Sequence, residues 1–409
     1  MTGNPLAPIL SGPSGPPGRK PLHVLTLTPF YPTDEDDGAG CFVAEPLDVL
    51  NQAEVRSTVF AVQPIYRPTA RTRQGKTRAA WLRYFSLPGG IGLPTAGAFV
   101  FARIVSRVRT LHRLDLIQVI HAHGALPCGH AAMLLSAELG VPYVVSVHGL
   151  DAFSTTQVGG RSGEWCRRIS QRVYRSSRRV LCVSERVREE VLNGVACRTS
   201  VIYNGVNPEL FSPDAVSLSG VGTTDSSSSV PTVLSVGNLI PIKGHDVLIR
   251  AIASILPEFP NLTLEIIGEG PESSRLRTLT DQLGITQHVK FSGRRSRDQV
   301  AAAMRHTTIF ALPSRYEGLG CVYLEAMSCG RPVIGCRGQG IAEVIQQGSN
   351  GFLVGADNDR ELALAMAMLL RDETMRRRVG RAARETILDR FTLPQQAQTL
   401  SRIYRESAG

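Results

Sequence analysis

Two glutamates, Glu317 and Glu325, flank a glycine-containing turn that could hold an anionic ligand. A short apolar stretch typical of a buried parallel strand, Ile309–Leu312, comes before the turn, and an apolar helical stretch follows it. Loops after parallel strands open at the edge of the sheet where ligands bind, and the next helix points its positive N-terminus there. The pattern predicts that a ligand with a phosphate-like anion binds here. Glu317 would lie near the reacting part of this ligand, and Glu325, about two helical turns further on, near one of its hydroxyl groups. The alternative is that both are ordinary surface carboxylates.

A lysine and a histidine occupy similar positions after other predicted strands. Lys243 lies between the strand Thr232–Val236 and the helix His245–Leu256, where its charge could bind a diphosphate. His148 directly follows the strand Val141–Val147 and is therefore a candidate for chemistry. The alternatives are a solvated lysine and a histidine that is hydrogen-bonded within its loop.

Three histidines, at positions 121, 123 and 148, lie near predicted strand ends and could suggest a metal site. However, no carboxylate occurs at ligand spacing from them, and no Asp-x-Asp ends a strand. We therefore expect no metal and no cofactor.

The elements that must position these residues repeat as strand, loop and helix, which is typical of a doubly wound α/β fold. The first repeat is Leu22–Leu27, an acidic loop that ends at Gly40, and a helix from Cys41 to Leu50. Gly40 could leave room for a diphosphate or an acceptor, or could serve an ordinary turn. The stretch Arg67–Arg83 is predicted to be a loop, and Ile341–Gln347 a short helix. The predicted organisation is a disordered tail (1–20), an N-terminal Rossmann-like domain (21–211), a linker (212–231), a C-terminal Rossmann-like domain (232–388) and a final helical segment (389–409).

Composition and charge restrict the cellular setting. No apolar run approaches the 18 residues that would span a bilayer, and the Pro- and Gly-rich start is not expected to be a signal peptide. Eight cysteines without a CxxC pair are typical of free thiols in a reducing cytoplasm. The net charge of +10 is concentrated in arginine-rich runs of the first half. These runs are either solvated helix faces or sites that attract anionic lipid or an anionic acceptor. Nucleic acid is not expected, because the runs lack interleaved aromatic residues.

The stretch EGLGCVYLEAMSCGRPV, residues 317–333, resembles the signature of retaining nucleotide-sugar glycosyltransferases of the group 1, family 4 type. The segments Ser146–Gly149 and Asn204–Val206 also resemble this family, and the resemblance extends from Leu22 to Tyr404. It implies the GT-B fold, with two facing Rossmann-like domains. The N-terminal domain (21–211) would contribute the acceptor side, the C-terminal domain (232–388) would bind the nucleotide sugar, and the C-terminal helix would cross back to the first domain.

The resemblance also implies roles for individual residues. Lys243 would neutralise the diphosphate, Glu325 would bind the ribose, and Glu317 and His148 would contact the donor sugar. The candidate catalytic residues are Glu317 and His148, and the candidate donor-binding residues are Lys243, Glu325, Gly40, Gly318, Leu319, Gly340, Ile341 and Glu343. One departure is Asn238, because many members of the family have a diphosphate-binding arginine there.

The predicted reaction is the transfer of a hexosyl group, with retention, from a UDP- or GDP-sugar to a lipid-linked or polysaccharide acceptor in cell-surface glycan synthesis. A nucleotide-sugar epimerase with the same two-domain architecture is the main alternative. A dinucleotide oxidoreductase is disfavoured, because no strand leads into a G-x-G-x-x-G motif. A catalytically inactive binding protein is disfavoured because the charged candidates are all present.

Overall fold

The computed structural model describes residues 21–52, 55–67, 77–88, 90–149, 158–213 and 230–409. The predicted tail (1–20) and most of the predicted linker (214–229) lie outside the described residues. The chain forms two compact units, Met1–Tyr203 with Leu393–Gly409 and Asn204–Thr392. The chain therefore passes between units at residues 203–204 and 392–393, whereas the sequence placed the ends of the domains at 211 and 388.

The first unit contains a seven-stranded parallel sheet in the order β3-β2-β1-β4-β5-β6-β7. The strands are β1 (Leu22–Thr28), β2 (Val55–Pro64), β3 (Ala79–Tyr84), β4 (Val119–His123), β5 (Tyr143–Val147), β6 (Arg179–Cys182) and β7 (Thr199–Val201). The helices are α1 (Cys41–Gln52), α2 (Leu93–Leu114), α3 (His130–Leu139), α4 (Gly160–Ser176) and α5 (Glu185–Leu192). The strand order reverses between β1 and β4, so the carboxyl ends of these strands border a ligand-binding crevice of the doubly wound type.

The second unit contains a six-stranded parallel sheet in the order β10-β9-β8-β11-β12-β13. The strands are β8 (Thr232–Val236), β9 (Thr263–Ile267), β10 (Val289–Gly293), β11 (Ile309–Ala311), β12 (Val333–Cys336) and β13 (Phe352–Val354). The helices are α6 (His245–Ile255), α7 (Ser273–Gln282), α8 (Arg297–His306), α9 (Cys321–Ser328), α10 (Asp359–Arg371) and α11 (Glu373–Arg390). Here the switch point lies between β8 and β11. The predicted α/β fold with two doubly wound sheets is confirmed.

The last helix, α12 (Leu393–Ala408), belongs to the first unit. Its apolar face contributes Leu400, Ile403 and Tyr404 to a core that also contains Leu47 and Leu50 of α1. Burial of these side chains stabilises the helix against its own unit, at about 1.5–3 kcal/mol for each large apolar side chain.

Three local predictions were wrong or incomplete. The stretch 67–83 is not all loop, because its end forms the edge strand β3, paired in register with β2. The helix expected over 341–347 is only a 3-10 turn, Gly340–Glu343. Helices α7 and α8 were not predicted, although Ser296 and Gln299 form a capping box at the start of α8, a pattern that the sequence carries. No helix in the described ranges is both long and apolar enough to cross a bilayer.

Candidate active site

The position of Lys243 is fixed by a tight turn after β8. Lys243 ends the 3-10 turn Pro241–Lys243, and Gly244 follows with φ +69° before α6 begins. A Cβ atom on Gly244 would lie 2.1 Å from the carbonyl oxygen of Pro313, so only glycine allows this loop to approach the loop after β11. As a result, Lys243 Nζ lies 2.5 Å from Glu317 Oε2, with the two side chains 19% and 13% exposed.

The backbone around Glu317 is held by Gln339, from the loop after β12. The backbone N–H of Glu317 donates to Gln339 Oε1 at 2.8 Å, and Gln339 Nε2 donates to the carbonyl of Arg315 at 3.0 Å. The N–H of Gly340 donates in addition to the carbonyl of Glu317 at 3.1 Å. Gln339 is buried, so these bonds are protected from competition by water. Gln339 therefore connects the two loops that carry the candidate donor-binding glycines.

Arg315 joins three loops at the carboxyl edge of the second sheet. Its guanidinium donates two hydrogen bonds to Asp246, at 3.0 and 3.1 Å, and one to Asp357 at 2.6 Å. It also donates to the carbonyl of Pro241 at 2.5 Å. Burial raises the pKa of Asp246, but the hydrogen bonds and charge of Arg315 outweigh it, and the pKa lies below its usual value. Arg315 thus fixes the spacing between the loops after β8, β11 and β13, the first two of which carry Lys243 and Glu317.

The glycine-led turns pack directly on each other. A Cβ atom on Gly340 would lie 1.8 Å from the carbonyl oxygen of Gly318, so a larger residue would separate the two turns. Leu319 and Ile341 are both buried, which gives their side chains a packing role. Glu343 lies at the end of the 3-10 turn and is partly exposed. The structure brings together Lys243, Glu317, Gly318, Leu319, Gly340 and Ile341.

Glu325 lies about one turn into α9 and is 2% exposed. Its Oε1 accepts from the guanidinium of Arg297 at 2.5 Å, and this guanidinium also lies 4.8 Å from the ring centroid of Phe211. Glu325 Oε2 is buried and accepts no hydrogen bond from the described residues. A buried carboxylate oxygen without a partner costs free energy, and a ligand hydroxyl would satisfy it. This geometry fits the predicted ribose-binding role. Asn238, in contrast, is exposed after β8.

The first unit holds the other two candidates, His148 and Gly40. His148 follows β5, and its Nε2 lies 2.9 Å from His123 Nδ1, with the rings stacked at a centroid distance of 5.2 Å. The ring of Phe42, in the first turn of α1, lies 4.7 Å from that of His148. Gly40 has φ +73°, and a Cβ atom there would lie 2.5 Å from the backbone of Tyr31. Gly40 therefore lets the first loop close, which places the start of α1 beside His148.

Burial lowers the pKa of His148 to about 4, so its imidazole is neutral at pH 7. The neighbouring His121 lies within hydrogen-bond distance of Ser146 Oγ and of Tyr404 OH, at 2.7 Å each. Within the described ranges, no group of three His, Cys, Asp or Glu residues is arranged as a metal-binding set. The expectation that no metal takes part stays a prediction.

Sequence reasoning missed Arg297, Gln339 and Arg315 as parts of the site. Arg315 belongs to the Ser-Arg-Tyr-Glu-Gly segment that flanks the family signature, whereas Arg297 and Gln339 lie outside it. Each is distant in sequence from the carboxylate or backbone group that it holds. The only available signal was that all three occur in loops or helix starts after parallel strands, the edge at which ligands bind.

Comparison with known proteins shows the family to which this fold belongs. Residues 37–210 match the family model described as Glycosyltransferase Family 4, and residues 224–386 match that of Glycosyl transferases group 1. An uncharacterised glycosyltransferase of Methanocaldococcus jannaschii is 30% identical over 71% of this chain and 76% of its own length. The chain belongs to the group 1, family 4 glycosyltransferases, and it is a transferase enzyme with the GT-B fold.

Two further similarities concern named proteins. A GDP-mannose-dependent α-(1-6)-phosphatidylinositol monomannoside mannosyltransferase of Mycolicibacterium smegmatis is 31% identical over 46% of this chain, and the match covers 51% of that protein. The crystal structure of Anabaena HepE in complex with UDP has a TM-score of 0.71 and 21% identity, and the match covers 94% of this chain and all of that one. The comparisons give no support to the epimerase alternative.

Proposed function

We propose that this enzyme transfers a hexosyl group, with retention of configuration, from a nucleoside diphosphate sugar to a lipid-linked or polysaccharide acceptor. The donor is a UDP- or GDP-sugar, and the reaction serves cell-surface glycan synthesis. The observation that carries the proposal is the Lys243–Glu317 pair, 2.5 Å apart between two glycine-led turns of one sheet edge.

The chemistry of the reaction explains why this pair is useful. When the bond between sugar and phosphate breaks, negative charge develops on the leaving diphosphate and positive charge on the sugar. Lys243 and the N-termini of α6 and α9 lie where the diphosphate charge would be stabilised, and Glu317 would then face the sugar. Groups that bind the separated charges better than the intact donor lower the barrier. We assign Glu317 a positioning and electrostatic role in a front-face reaction, in which the leaving phosphate accepts the acceptor's proton.

Glu325 supplies the nucleotide end of the proposed site. Its Oε2 would accept a hydrogen bond from a ribose hydroxyl, while Arg297 keeps the carboxylate in place through Oε1. His148, neutral at pH 7, would contribute from the first unit as a hydrogen-bonding partner of the donor sugar. No metal is expected in this proposal, because the lysine and the helix N-termini supply positive charge.

Several features support the donor class and the location. The mannosyltransferase relative is named for GDP-mannose, and the structural neighbour was solved with UDP. All eight cysteines are free thiols, which fits a reducing cytoplasm. We propose that the enzyme works in the cytoplasm, peripherally at the inner face of the cell membrane.

The test is a thermal-shift screen of UDP- and GDP-sugars, followed by determination of the anomeric configuration of the product by NMR. A donor that binds only the folded protein raises its melting temperature. We expect one nucleotide series to stabilise the enzyme, and the transferred sugar to keep the configuration of the donor. An inverted product would contradict the retaining mechanism, and the absence of stabilisation by any nucleotide sugar would contradict the donor class.

A further inference from the structure

A cluster of exposed apolar side chains lies at one edge of the first unit. Six of the thirteen large apolar residues that are exposed in the described part of the chain gather there, each 41–66% exposed. We call them the apolar patch: Ile65, Tyr66, Phe85, Leu87, Ile91 and Phe99. A clustered set of this kind marks an interaction surface, whereas scattered exposed apolar residues need no explanation.

Backbone and ring contacts hold the apolar patch together. Ile65 follows β2, and its N–H donates to the carbonyl of Tyr84 at the end of β3. Phe85 follows directly, and its ring lies 5.3 Å from that of Phe99 in α2. The backbone of Leu87 lies close to Gly92, at which a Cβ atom would lie 2.5 Å from the Leu87 nitrogen. The carboxyl ends of β2 and β3 and the start of α2 therefore present one surface.

The stretch of sequence that carries the apolar patch is basic. From Val55 to Leu114 the chain has eleven arginine or lysine residues and no aspartate or glutamate. Phe99, Arg103 and Arg107 are exposed at successive i, i+4 positions, so the charge continues along the same side of α2. Arg103 and Arg107 form no ion pair within the described ranges, which leaves their charge available to a partner.

We propose that the apolar patch inserts into an anionic lipid bilayer while Arg103 and Arg107 contact the headgroups. Aliphatic and aromatic side chains beside arginines suit the boundary between acyl chains and anionic headgroups, where apolar burial and charge attraction add. A second copy of this chain is a poor occupant, because it would bring two basic surfaces together. The proposal extends the proposed lipid-linked acceptor, but it rests on the surface itself.

The two contributions can be separated with full-length protein and vesicle flotation. One set of vesicles is phosphatidylcholine alone, and the other includes a fixed minor fraction of phosphatidylglycerol. The double variant Phe85→Ser/Ile91→Ser removes apolar contacts, and we expect at least about tenfold weaker partitioning onto anionic vesicles at both low and high salt. The double variant Arg103→Gln/Arg107→Gln should lose about fivefold per residue on anionic vesicles at low salt. This second loss should disappear at high salt because charges are screened.

Matched controls use exposed residues of the second unit. Leu364→Ser replaces a side chain that is 70% exposed, and Arg378→Gln/Arg381→Gln removes two exposed arginines of α11. Neither control should change partitioning. Affinity for UDP and GDP, measured by calorimetry, should be the same in all variants. If vesicle binding is absent while nucleotide binding and transfer persist, the membrane surface and the peripheral location are wrong and the proposed transfer reaction stands. If vesicle binding is present but no nucleotide sugar binds, only the proposed function fails.

Two further results would overturn the membrane proposal. One is that Phe85→Ser/Ile91→Ser floats with anionic vesicles as wild type does. The other is that this variant instead dissociates a dimer seen by analytical ultracentrifugation, which would make the apolar patch a contact between copies.

Discussion

Replacement of Lys243 by alanine tests the diphosphate site most directly. A hydrogen bond to a charged group contributes roughly 1.5–3 kcal/mol, which corresponds to about 10- to 150-fold in affinity. The Lys243 side chain is only 19% exposed, so solvent screens it little. Lys243→Ala also leaves the Glu317 carboxylate, formerly 2.5 Å from Nζ, without its cation and beside the incoming diphosphate. We therefore expect affinity for the nucleoside diphosphate to fall near the upper end of this range.

The contribution of Glu317 can be isolated with the double variant Lys243→Ala/Glu317→Gln. Removal of the unpaired negative charge should recover part of the lost affinity, because like charges a few ångströms apart repel by roughly 1–4 kcal/mol, depending on the effective dielectric constant. Lys290→Ala is the matched control, since Lys290 forms an ion pair with Glu265 at 3.0 Å and is 67% exposed in the same unit.

Isothermal titration calorimetry with UDP and GDP measures these affinities, and circular dichroism confirms that each variant is folded. If Lys243→Ala binds the nucleotide as tightly as wild type and Lys290→Ala do, the diphosphate does not lie at Lys243. In that case the placement of the donor between the loops after β8 and β11 would be wrong.

Four other changes test the remaining contacts. Glu317→Gln should lower kcat by about 100-fold or more, while the nucleotide affinity measured by calorimetry changes little. If kcat and the nucleotide affinity fell by the same factor, Glu317 would not act electrostatically in the transition state. Gln339→Leu removes two hydrogen bonds to the backbone, so the melting temperature should fall slightly and kcat should fall strongly. An unchanged kcat for the folded enzyme would show that Gln339 does not position Glu317. Arg297→Met leaves the Glu325 carboxylate buried and unpaired and should lower the free energy of unfolding, measured in urea, by about 3–5 kcal/mol. Adding Glu325→Gln should restore part of this free energy. A free energy of unfolding equal to that of wild type within error would show that the pair does not stabilise the fold. Burial lowers the pKa of His148 from 6.5 to about 4, so between these pH values the unfolded chain binds more protons than the folded one. The stability that the neutral His148 ring contributes is therefore complete above pH 6.5 and is lost as the pH falls towards 4. Unfolding at several pH values should give a shallower acid slope for His148→Asn, and an unchanged slope would mean that His148 is not buried as a neutral ring.

Much of the secondary structure could be predicted because it depends on local periodicity. The helix Glu185–Leu192 and its cap at Ser184 agree with the sequence prediction, since an N-cap serine before an amphipathic run is a local signal. Strand β8 was predicted at its observed bounds, because a parallel strand buried on both faces is mostly apolar, and three of its five residues are Val or Leu. Strand β3 was missed because it is a short edge strand next to arginines, and its pairing with β2 decides its conformation.

The apolar patch shows a different limit of sequence reasoning. The basic runs of the first half are visible in the sequence, and they indicate an anionic partner. Whether the apolar residues between them face the core or solvent depends on packing. Phe85 and Ile91 are exposed, but Tyr84 and Ile104 in the same region are buried. Only the folded unit shows that apolar and basic side chains share one surface.

The sequence by itself determined the family, the two repeated α/β units and the residues of the signature, because these are encoded in residue types and short spacings. The tertiary structure alone decided which side chains hold the signature residues in place. Gln339 lies 22 residues from Glu317, and Arg297 lies 28 residues before Glu325. These contacts form because parallel strands bring the loops at their carboxyl ends to one edge of the sheet, and separation along the chain carries no information about that proximity.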